Sequence, residues 1–515
     1  MAFAKITTLT PIHVGSGQVY SRDIEFIEEG GGIGLVDPNK VGDLIGHSKA
    51  DIDQWVRAIE NKVPLIDFLR NNRGLKNVTI EEISERVLDV KGNSRGIKQL
   101  RAQMFSSIKG LTIPGSSIKG AIRTAILNYL INQNNVYARD LSIYKKSFYD
   151  HRKHKTQIDY SGSNLEKRYF GNDSNHDIFR FLRTGDVYFD HSICICTRTL
   201  NETGTGHEIK GSVSQLVECI DEGLESVFQI SVSENLIREL SKNRYLNIRS
   251  KLPNLSLVSD LKGLFRIINS FTGQQIEKEI NFYENLNLPS EVNQFVDTLK
   301  EIKQQFQILN DHECILRLGF GIGYLNMTGG WPLEQWKHIP GINLNRELDF
   351  LSEAVRRKSN YNGTRLPKSR KLGNEGVPLG FIKLSLVDDR VYHQWNENRE
   401  KCRQLVEQRR IDQREEEKRL REQQEEEARL AAEEAKKPQM FTGRLKVGVT
   451  LDAEVVQSGT PNLVKVYVPG YENKNLQMQL YRGSLPVGTI VEVEVNNFDR
   501  KQNRIVSVKY VKMKT

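Results

Sequence analysis

The chain contains 515 residues, of which 38% are hydrophobic and 27% are charged, and its formal net charge is +9. This length allows two to four domains, each with its own core. No run of about 18 apolar residues occurs, and the first residues lack the hydrophobic region of a signal peptide, so we expect neither a membrane span nor secretion. Five cysteines, an odd number, favour a reducing cytoplasm over a disulfide framework. The excess of positive charge suits a polyanionic partner, although other basic proteins share it.

The first 70 residues alternate between strand and helix patterns. Residues 3–10 are β-prone and lead into a Gly-Ser loop over 11–17, which is followed by a strand over 20–27 and its hairpin return over 33–36. A short helix over 37–44 and a helical stretch over 52–69 come next. We therefore expect an α+β domain with helices on one face of a sheet.

The most informative stretch is IPGSSIKGAIRTAI at 113–126, a strand end followed by a Pro-Gly break and a helix. Ser116 or Ser117 is the expected N-cap, and Lys119 and Arg123, four residues apart, share one side of the helix. Amide groups at a helix N-terminus together with two cations favour binding of an anion, most simply a phosphate. The spacing excludes a nucleotide-binding P-loop. An ordinary capped helix with two solvated charges remains the alternative.

Basic tracts surround this stretch. The first, over 94–123, contains six cations and no acid, and the second, over 145–168, mixes Lys, Arg and His with Tyr and Phe. Single-stranded nucleic acid binding requires cations for phosphates and aromatic rings for unpaired bases. For residues 150–165, which are rich in Ser, Asn and Gly, a solvated loop is equally compatible. A third basic tract lies at 356–371.

The middle of the chain predicts strands over 179–182, 186–197, 215–220 and 226–233, and helices over most of 234–310. Cys194 and Cys196 would share one face of a strand, and since no second pair at metal-ligand spacing follows, we interpret them as core residues. At 319–323 the pattern Gly-x-Gly-x-Gly follows a strand but lacks the third glycine of the dinucleotide fingerprint. Such a loop lets phosphates approach the backbone. A final strand of this part is expected over 377–384.

The composition changes abruptly after residue 395. Residues 396–437 are rich in Glu, Arg, Gln and Ala with i,i+4 ion pairs, which predict one solvated helix of about 60 Å. Residues 438–515 show five short strands separated by turn residues, which is typical of a small OB-like or S1-like barrel. Its aromatic and basic residues could bind single strands, while small barrels also serve as protein adaptors. These residues are Tyr467, Tyr471, Tyr481, Phe498, Lys465, Arg482, Arg500 and Lys501.

Several motifs together resemble the RAMP superfamily of CRISPR-associated proteins, and within it the subunit that caps the crRNA 3′ end in type III-A (Csm) effector complexes. The motifs are LTPIHVGSG at 9–17, PGSSIKGAIRT at 114–124, FRFLRTGD at 179–186, QLVECIDEGLESVFQISV at 215–232, RLGFGIGY at 317–324, and LPKSRKL with VPLGFIKL between 366 and 384. The resemblance covers about residues 1–395. The pair PKSR and PLGF indicates the capping subunit, since the PGSSIKGAIRT element is shared across the superfamily.

The resemblance implies two ferredoxin-like (RRM-type) halves, 1–175 with a basic insertion and 176–395 with a helical insertion. The charged helix over 396–437 and the barrel over 438–515 follow them. It also implies that glycine loops and basic helix starts hold crRNA, and no metal or other cofactor is expected. The implied RNA-binding residues are His13, Gly15, Ser16, Gly17, Ser116, Ser117, Lys119, Arg123, Arg180, Gly319, Gly321, Gly323, Lys368 and Arg370. Lys368 and Arg370 match a PKTR-like family motif, with Ser369 where threonine is common.

We expect a non-catalytic RNA-binding subunit of a type III-A effector complex that caps the crRNA 3′ end and supports crRNA maturation and complex assembly in antiviral defence. Its expected partners are crRNA, the backbone and small Csm subunits, and target RNA indirectly, with a host processing nuclease as a further candidate and no membrane. Two alternatives remain open. A RAMP endoribonuclease or target-cutting backbone subunit would use Asp23 or His13, and an S1-domain adaptor would recruit a processing nuclease.

Overall fold

The computed structural model describes residues 2–46, 48–134, 143, 145–151, 154–160, 162–203, 206–233, 235, 237–238, 242, 252–284, 290–323, 326–327, 369–479 and 483–514. The chain divides into two units, Met1–Asn398 and Arg399–Thr515. Within the described residues, none of the helices combines the length and apolar character that crossing a bilayer requires.

An antiparallel sheet, sheet 1, joins the beginning of the first unit to its end. In the described part of the chain its strand order is Leu182–Thr184, Glu225–Val232, Phe3–Thr8, Phe381–Val387 and Glu313–Arg317. Ala4 and Ile6 are fully buried in one apolar cluster with the helices Gly115–Asn134 and Leu261–Glu284. Helices therefore cover one face of this sheet, and the expected α+β class is confirmed.

A second, mixed sheet, sheet 2, lies in the same unit. Among the described residues its strand order is Gly15–Ser21, Gln99–Gln103, Gly206–Ile220, Ser192–Thr203, Ser84–Lys91, Gly32–Val36 and Phe26–Glu29, and Ser369–Leu372 pairs with Ser192–Thr203. Cys194 and Cys196 are buried in one apolar cluster with Leu216, which confirms their interpretation as core residues. Strands from both sides of residue 175 contribute to both sheets, so the predicted boundary there does not separate the sheets.

Short elements complete the described part of the first unit. The helices are Pro38–Ile45, Lys49–Glu60, Leu65–Asp67, Ile80–Ile83, Gly162–Phe170, Leu252–Ser259 and Ser290–Gln305, with a π-helical turn at Phe68–Asn72 and 3₁₀ turns at Ile178–Phe181 and Asn374–Gly376. The remaining strands are Phe105–Ser106, Gly110–Ile113 and Val187–Phe189, which form a small sheet, and the hairpin Lys145–Asp150 with Lys155–Tyr160.

Three strand predictions are wrong in part. The predicted strand over 186–197 forms two strands, Val187–Phe189 and Ser192–Thr203, which belong to different sheets. The other two fail for local reasons. The predicted strand over 179–182 begins instead as a 3₁₀ turn, because the Asp177 carboxylate accepts a hydrogen bond from the Phe179 amide at 2.8 Å and caps it. The predicted strand over 20–27 is interrupted by a turn at 23–25. There Asp23 has a left-handed φ of 66°, and its amide donates to the carbonyl of Phe26 at 2.8 Å.

The second unit contains most of a long helix and a closed barrel. The helix Asp389–Lys436 has 48 residues, begins seven positions before the predicted start at 396, and contains the boundary between the units. At 1.5 Å per residue it is about 72 Å long. The barrel strands are Thr450–Gln457, Asn462–Val466, Asn475–Gln479, Ile490–Asp499 and Arg504–Met513. These five strands were all predicted, and alternate residues such as Val491, Val493 and Val495 form the barrel core.

Candidate nucleic-acid interface

The glycine-rich segment at 319–323, here called the glycine loop, is separated from the strand Glu313–Arg317 by one residue, Leu318. Gly319, Gly321 and Gly323 have φ values of 90°, 81° and 83°, a region in which other residues are strained. A Cβ on Gly319 would also lie 2.5 Å from the carbonyl oxygen of His13. The pattern of glycines is therefore required by backbone conformation and by close approach to the N-terminal segment.

Three sequence motifs meet at this loop. The Phe320 amide donates to the carbonyl of His13 at 2.8 Å, and the Gly380 amide donates to the carbonyl of Pro11 at 3.0 Å. The Leu318 amide completes the junction by donating to the carbonyl of Gly380 at 2.9 Å. Residues 11–17, 317–323 and 377–384, which are far apart in sequence, therefore form one backbone-bonded junction.

His13 is a structural residue of this junction. It is 3% exposed, and its Nδ1 lies 2.6 Å from the Glu218 carbonyl oxygen, so that nitrogen carries the proton and donates it. The ring packs edge-on against Phe320, with centroids 5.5 Å apart. Burial lowers the pKa of His13. A buried, neutral and hydrogen-bonded imidazole positions the backbone beside Gly15, and this geometry does not favour its use as a nuclease base.

The N-terminus of the helix Gly115–Asn134 is capped by a residue distant in sequence, which the sequence prediction missed. The helix begins at Gly115, whose amide donates to Oδ1 of Asp186 at 2.8 Å, while the Thr184 hydroxyl donates to the Gly115 carbonyl at 2.7 Å. Ser116 and Ser117 therefore lie in the first turn, and the prediction that one of them is the N-cap is wrong. The first amide of this helix is bonded to a carboxylate of the same chain.

The two cations of this helix have different surroundings. Arg123 bonds to Glu166 at 2.7 Å and to Asp177 at 2.6 Å, and its guanidinium carbon lies 4.7 and 4.8 Å from the ring centroids of Phe170 and Phe179. These contacts occupy Arg123 inside the fold. Lys119 has no carboxylate within 4 Å of its ammonium among the described residues, and burial lowers its pKa, an effect that Asp177 opposes.

A cleft of about 430 Å³ lies between the same helix, the helix Gly162–Phe170 and the glycine loop. It joins the PGSSIKG and GFGIG motifs in one concave surface. The lining residues are Ser117, Gly120, Ala121, Thr124, Gly162, Ser163, Leu318, Gly319, Ile322, Asn326 and Met327.

Two other cations, Arg101 and Lys371, lie beside the glycine loop. Arg101 is exposed on the strand Gln99–Gln103 and pairs with Val19, two residues from the exposed Gly17. The Lys371 ammonium lies 5.9 Å from the Phe320 ring centroid. A Cβ added to Gly321 would lie 3.6 Å from the Cβ of Lys371. Burial lowers the pKa of Lys371, and the charge of Arg101 lowers it further. Sequence reasoning placed both residues in basic tracts but not in the site, because only sheet pairing brings them together.

The remaining predicted site residues lie elsewhere or outside the described residues. Arg180 is in a 3₁₀ turn, where its guanidinium bonds to the carbonyl of Asn175 and lies 6.0 Å from the Phe181 ring. Arg370 is 7% exposed and stacks on Phe282 at 4.5 Å. Lys368 lies outside the described residues. Ser16 is exposed beside Gly15 and Gly17 at the start of the first strand of sheet 2.

The predicted stacking rings of the barrel that lie among the described residues are engaged in internal contacts. Tyr471 is buried, and its hydroxyl accepts a hydrogen bond from the Ile505 amide at 2.6 Å. Tyr467 donates to Glu454 at 2.8 Å, and burial together with this bond raises the pKa of Tyr467 to about 12. Phe498 packs against the barrel core. Tyr481 and Arg482 lie outside the described residues, so among the described aromatic residues of this set each ring is engaged in the barrel.

The part of the chain that the structure describes contains no evident metal-binding site. No group of three or more His, Cys, Asp or Glu side chains there is arranged to hold an ion. Asp23, the candidate for target-RNA cleavage, is exposed in its turn, and its carbonyl accepts from the Leu65 amide at 2.8 Å.

Comparison with known proteins agrees with the junction of motifs. The sequence model of the RAMP superfamily matches residues 5–326. A protein of Methanocaldococcus jannaschii named CRISPR system Cms protein Csm5 is 26% identical over 418 residues, which cover 75% of this chain and 88% of that relative.

Two solved structures are similar in fold. A chain of the cryo-EM structure of a Csm–crRNA–target RNA ternary complex from a type III-A CRISPR-Cas system matches 75% of this chain and all of its own length, with a TM-score of 0.51 and 18% identity. The crystal structure of T. onnurineus Csm5 matches 73% of this chain and 99% of its own length, with a TM-score of 0.45 and 17% identity. Because the family model spans more than half of the sequence, this chain belongs to the RAMP superfamily.

Proposed function

We propose that this chain is a non-catalytic RNA-binding subunit of a type III-A CRISPR effector complex. In this role it caps the 3′ end of crRNA and supports crRNA maturation and complex assembly in antiviral defence. The relationship to Csm5 over most of the chain supports the complex, and the name and fold of the relatives support crRNA and other Csm subunits as partners.

The observation that carries the proposal is the glycine loop with two cations, Arg101 and Lys371, beside it. Three left-handed glycines keep the half-buried loop without side chains at these positions, and Arg101 and Lys371 lie beside it, while Lys119 belongs to the helix that lines the adjacent cleft. A strand of phosphates needs close backbone approach and positive charge along its path. We assign the RNA path to this loop, to Ser117 in the cleft and to the exposed residues 15–17.

The absence of catalysis is part of the proposal. His13 is buried, neutral and bonded to the Glu218 carbonyl, so it lacks access to a substrate hydroxyl. Asp23 lies in an exposed turn, bonded through its backbone to Phe26 and Leu65, and the described residues include no group of three or more metal-ligating side chains. These surroundings favour a binding role over the endoribonuclease alternative.

The architecture extends the proposal to the domains. Sheet 1 with its two covering helices supports a ferredoxin-like element, although strands of both predicted halves build it. The closed five-strand barrel supports an OB-like module. Since its described tyrosines are engaged internally, we propose that the barrel contacts protein, for example a processing nuclease, and not single-stranded RNA.

Site-specific crosslinking tests the capping role. A photo-crosslinking amino acid replaces Ser117 in the assembled complex, and the crosslinked nucleotide of crRNA is mapped. The proposal predicts crosslinks at the 3′ end. The control places the same group at Ile52, which is exposed on the helix Lys49–Glu60, and should give none. Crosslinks at the 5′ end, or to protein alone, would reject the capping role.

A further inference from the structure

An exposed aromatic ring stands beside the N-terminal glycine segment. Phe105 is 36% exposed, although it is a large apolar residue, and it lies on the strand Phe105–Ser106. The guanidinium carbon of Arg86 lies 4.1 Å from its ring centroid, which is a stacking distance. The ring therefore packs against a cation, and about a third of the residue's surface is accessible to solvent.

The stacked cation is fixed in place. Arg86 Nε bonds to one Glu218 carboxylate oxygen at 3.0 Å and Nη2 bonds to the other at 3.2 Å. The Glu218 side chain is fully buried, and the Gln103 amide also donates to it at 3.0 Å. A guanidinium held by a buried bidentate ion pair cannot swing away, so Phe105 rests on a rigid support.

The same chain segment is bonded to the proposed RNA path. The Met104 amide donates to the carbonyl of Val14 at 2.8 Å, and the Val14 amide donates to the Gln103 side chain at 2.7 Å. Phe105 thus follows directly after a residue bonded to the segment that leads into Gly15. Arg101, one of the cations beside the glycine loop, lies four positions before Phe105 on the same run of chain.

We propose that the exposed part of the Phe105 ring is a stacking platform for one unpaired base of the RNA whose phosphates pass the glycine loop. This inference rests on the proposed RNA-binding function and adds the contact that holds a base. A rigid aromatic face beside a basic, glycine-lined backbone path matches single-stranded RNA, because a base has a π-face and its phosphate needs a cation. The platform accepts any base and discriminates weakly among them.

Full-length protein and single-stranded RNA oligonucleotides test the platform. Phe105→Leu keeps an apolar side chain and removes the ring, while Phe105→Tyr keeps the ring. Stacking on one base predicts a loss of affinity of about 5-fold to 150-fold for Phe105→Leu and nearly unchanged affinity for Phe105→Tyr. Since stacking involves no ion release, the dependence of affinity on salt should be the same in both variants and in the wild-type protein.

A double-mutant cycle locates the base. RNAs with a single abasic position, moved along the strand, should include one position whose loss weakens wild-type binding but adds nothing to the loss in Phe105→Leu. An identical abasic profile in both proteins would overturn the platform. So would a Phe105→Leu protein that binds RNA normally but fails to assemble with other subunits, since the ring would then contact protein. Wild-type protein that binds no RNA would instead reject the proposed function itself.

Discussion

Replacing Arg123 separates an internal packing role from a phosphate-binding role. Arg123 bonds to Glu166 and Asp177 at 2.7 and 2.6 Å, and it lies between the rings of Phe170 and Phe179 at 4.7 and 4.8 Å. It joins the helix Gly115–Asn134 to the helix Gly162–Phe170 and to the 3₁₀ turn Ile178–Phe181. Arg123→Ala should therefore lower stability while leaving the RNA cations in place.

The size of the effect follows from these four contacts. The three charged side chains are 20–27% exposed, so each ion pair should contribute between the values of surface and buried pairs, about 0.5–1.5 kcal/mol. Each cation–π contact adds about 0.5 kcal/mol. The sum is about 2–4 kcal/mol. With an unfolding entropy of roughly 2.1 cal/mol/K per residue, the unit Met1–Asn398 should melt about 2–5 °C lower.

Thermal unfolding and RNA titration of Arg123→Ala provide the assay. The matched control is Arg180→Ala, since Arg180 has a backbone bond and a looser ring contact at 6.0 Å, and its replacement should cost less than about 1 kcal/mol. We expect the salt dependence of RNA binding to be unchanged in both variants. An Arg123→Ala protein with unchanged melting temperature and a weaker salt dependence would refute the internal role and return Arg123 to the phosphate path.

Further predictions concern the glycine loop, the histidine and the helix cap. Gly319→Ala should disrupt the loop and weaken RNA binding, because the added Cβ would lie 2.5 Å from the His13 carbonyl oxygen. The control Gly120→Ala should maintain or raise stability, because its added Cβ would meet no neighbouring atom within 4 Å. Burial lowers the pKa of His13 below its ordinary value of about 6.5, so the unfolded chain binds a proton that the folded chain does not. Melting temperature should therefore fall as pH decreases from about 6.5, and His13→Gln should reduce this dependence in a pH series. Asp186→Ala removes the acceptor for the Gly115 amide and should lower the free energy of unfolding in urea by about 1 kcal/mol. Asp186→Asn keeps an acceptor oxygen and should retain most of the wild-type stability.

Local patterns predicted those features that depend on local physics. The five barrel strands, the charged helix and the shared burial of Cys194 and Cys196 follow from periodicity and turn residues alone. The glycine loop was predicted because residues with left-handed backbone angles leave a visible pattern of glycines. Its neighbours in space were not predicted, since His13 is about 300 residues and Gly380 about 60 residues away from the loop in sequence.

The errors come from partners that are distant in sequence. A serine next to a helix start predicts a cap, but the acceptor for the Gly115 amide is Asp186, about 70 positions later in the chain. Lys119 and Arg123 are equivalent by helical spacing, yet among the described residues Arg123 is the one of the two that forms ion pairs with Glu166 and Asp177. Likewise, nothing in the basic tracts distinguishes Arg101 from its neighbours until sheet pairing places it beside residues 15–17.

The salt dependence of RNA binding tests the central claim that the glycine loop lies on an RNA backbone path. Affinity of the full-length chain for single-stranded RNA is measured over a range of salt concentrations for the wild type and for the combined Arg101→Ala, Lys119→Ala and Lys371→Ala variant. Each lost phosphate contact should reduce the slope of log K against log salt by about 0.7, so the triple variant should lose about 2. An unchanged slope with unchanged affinity would contradict the assignment of this loop to RNA.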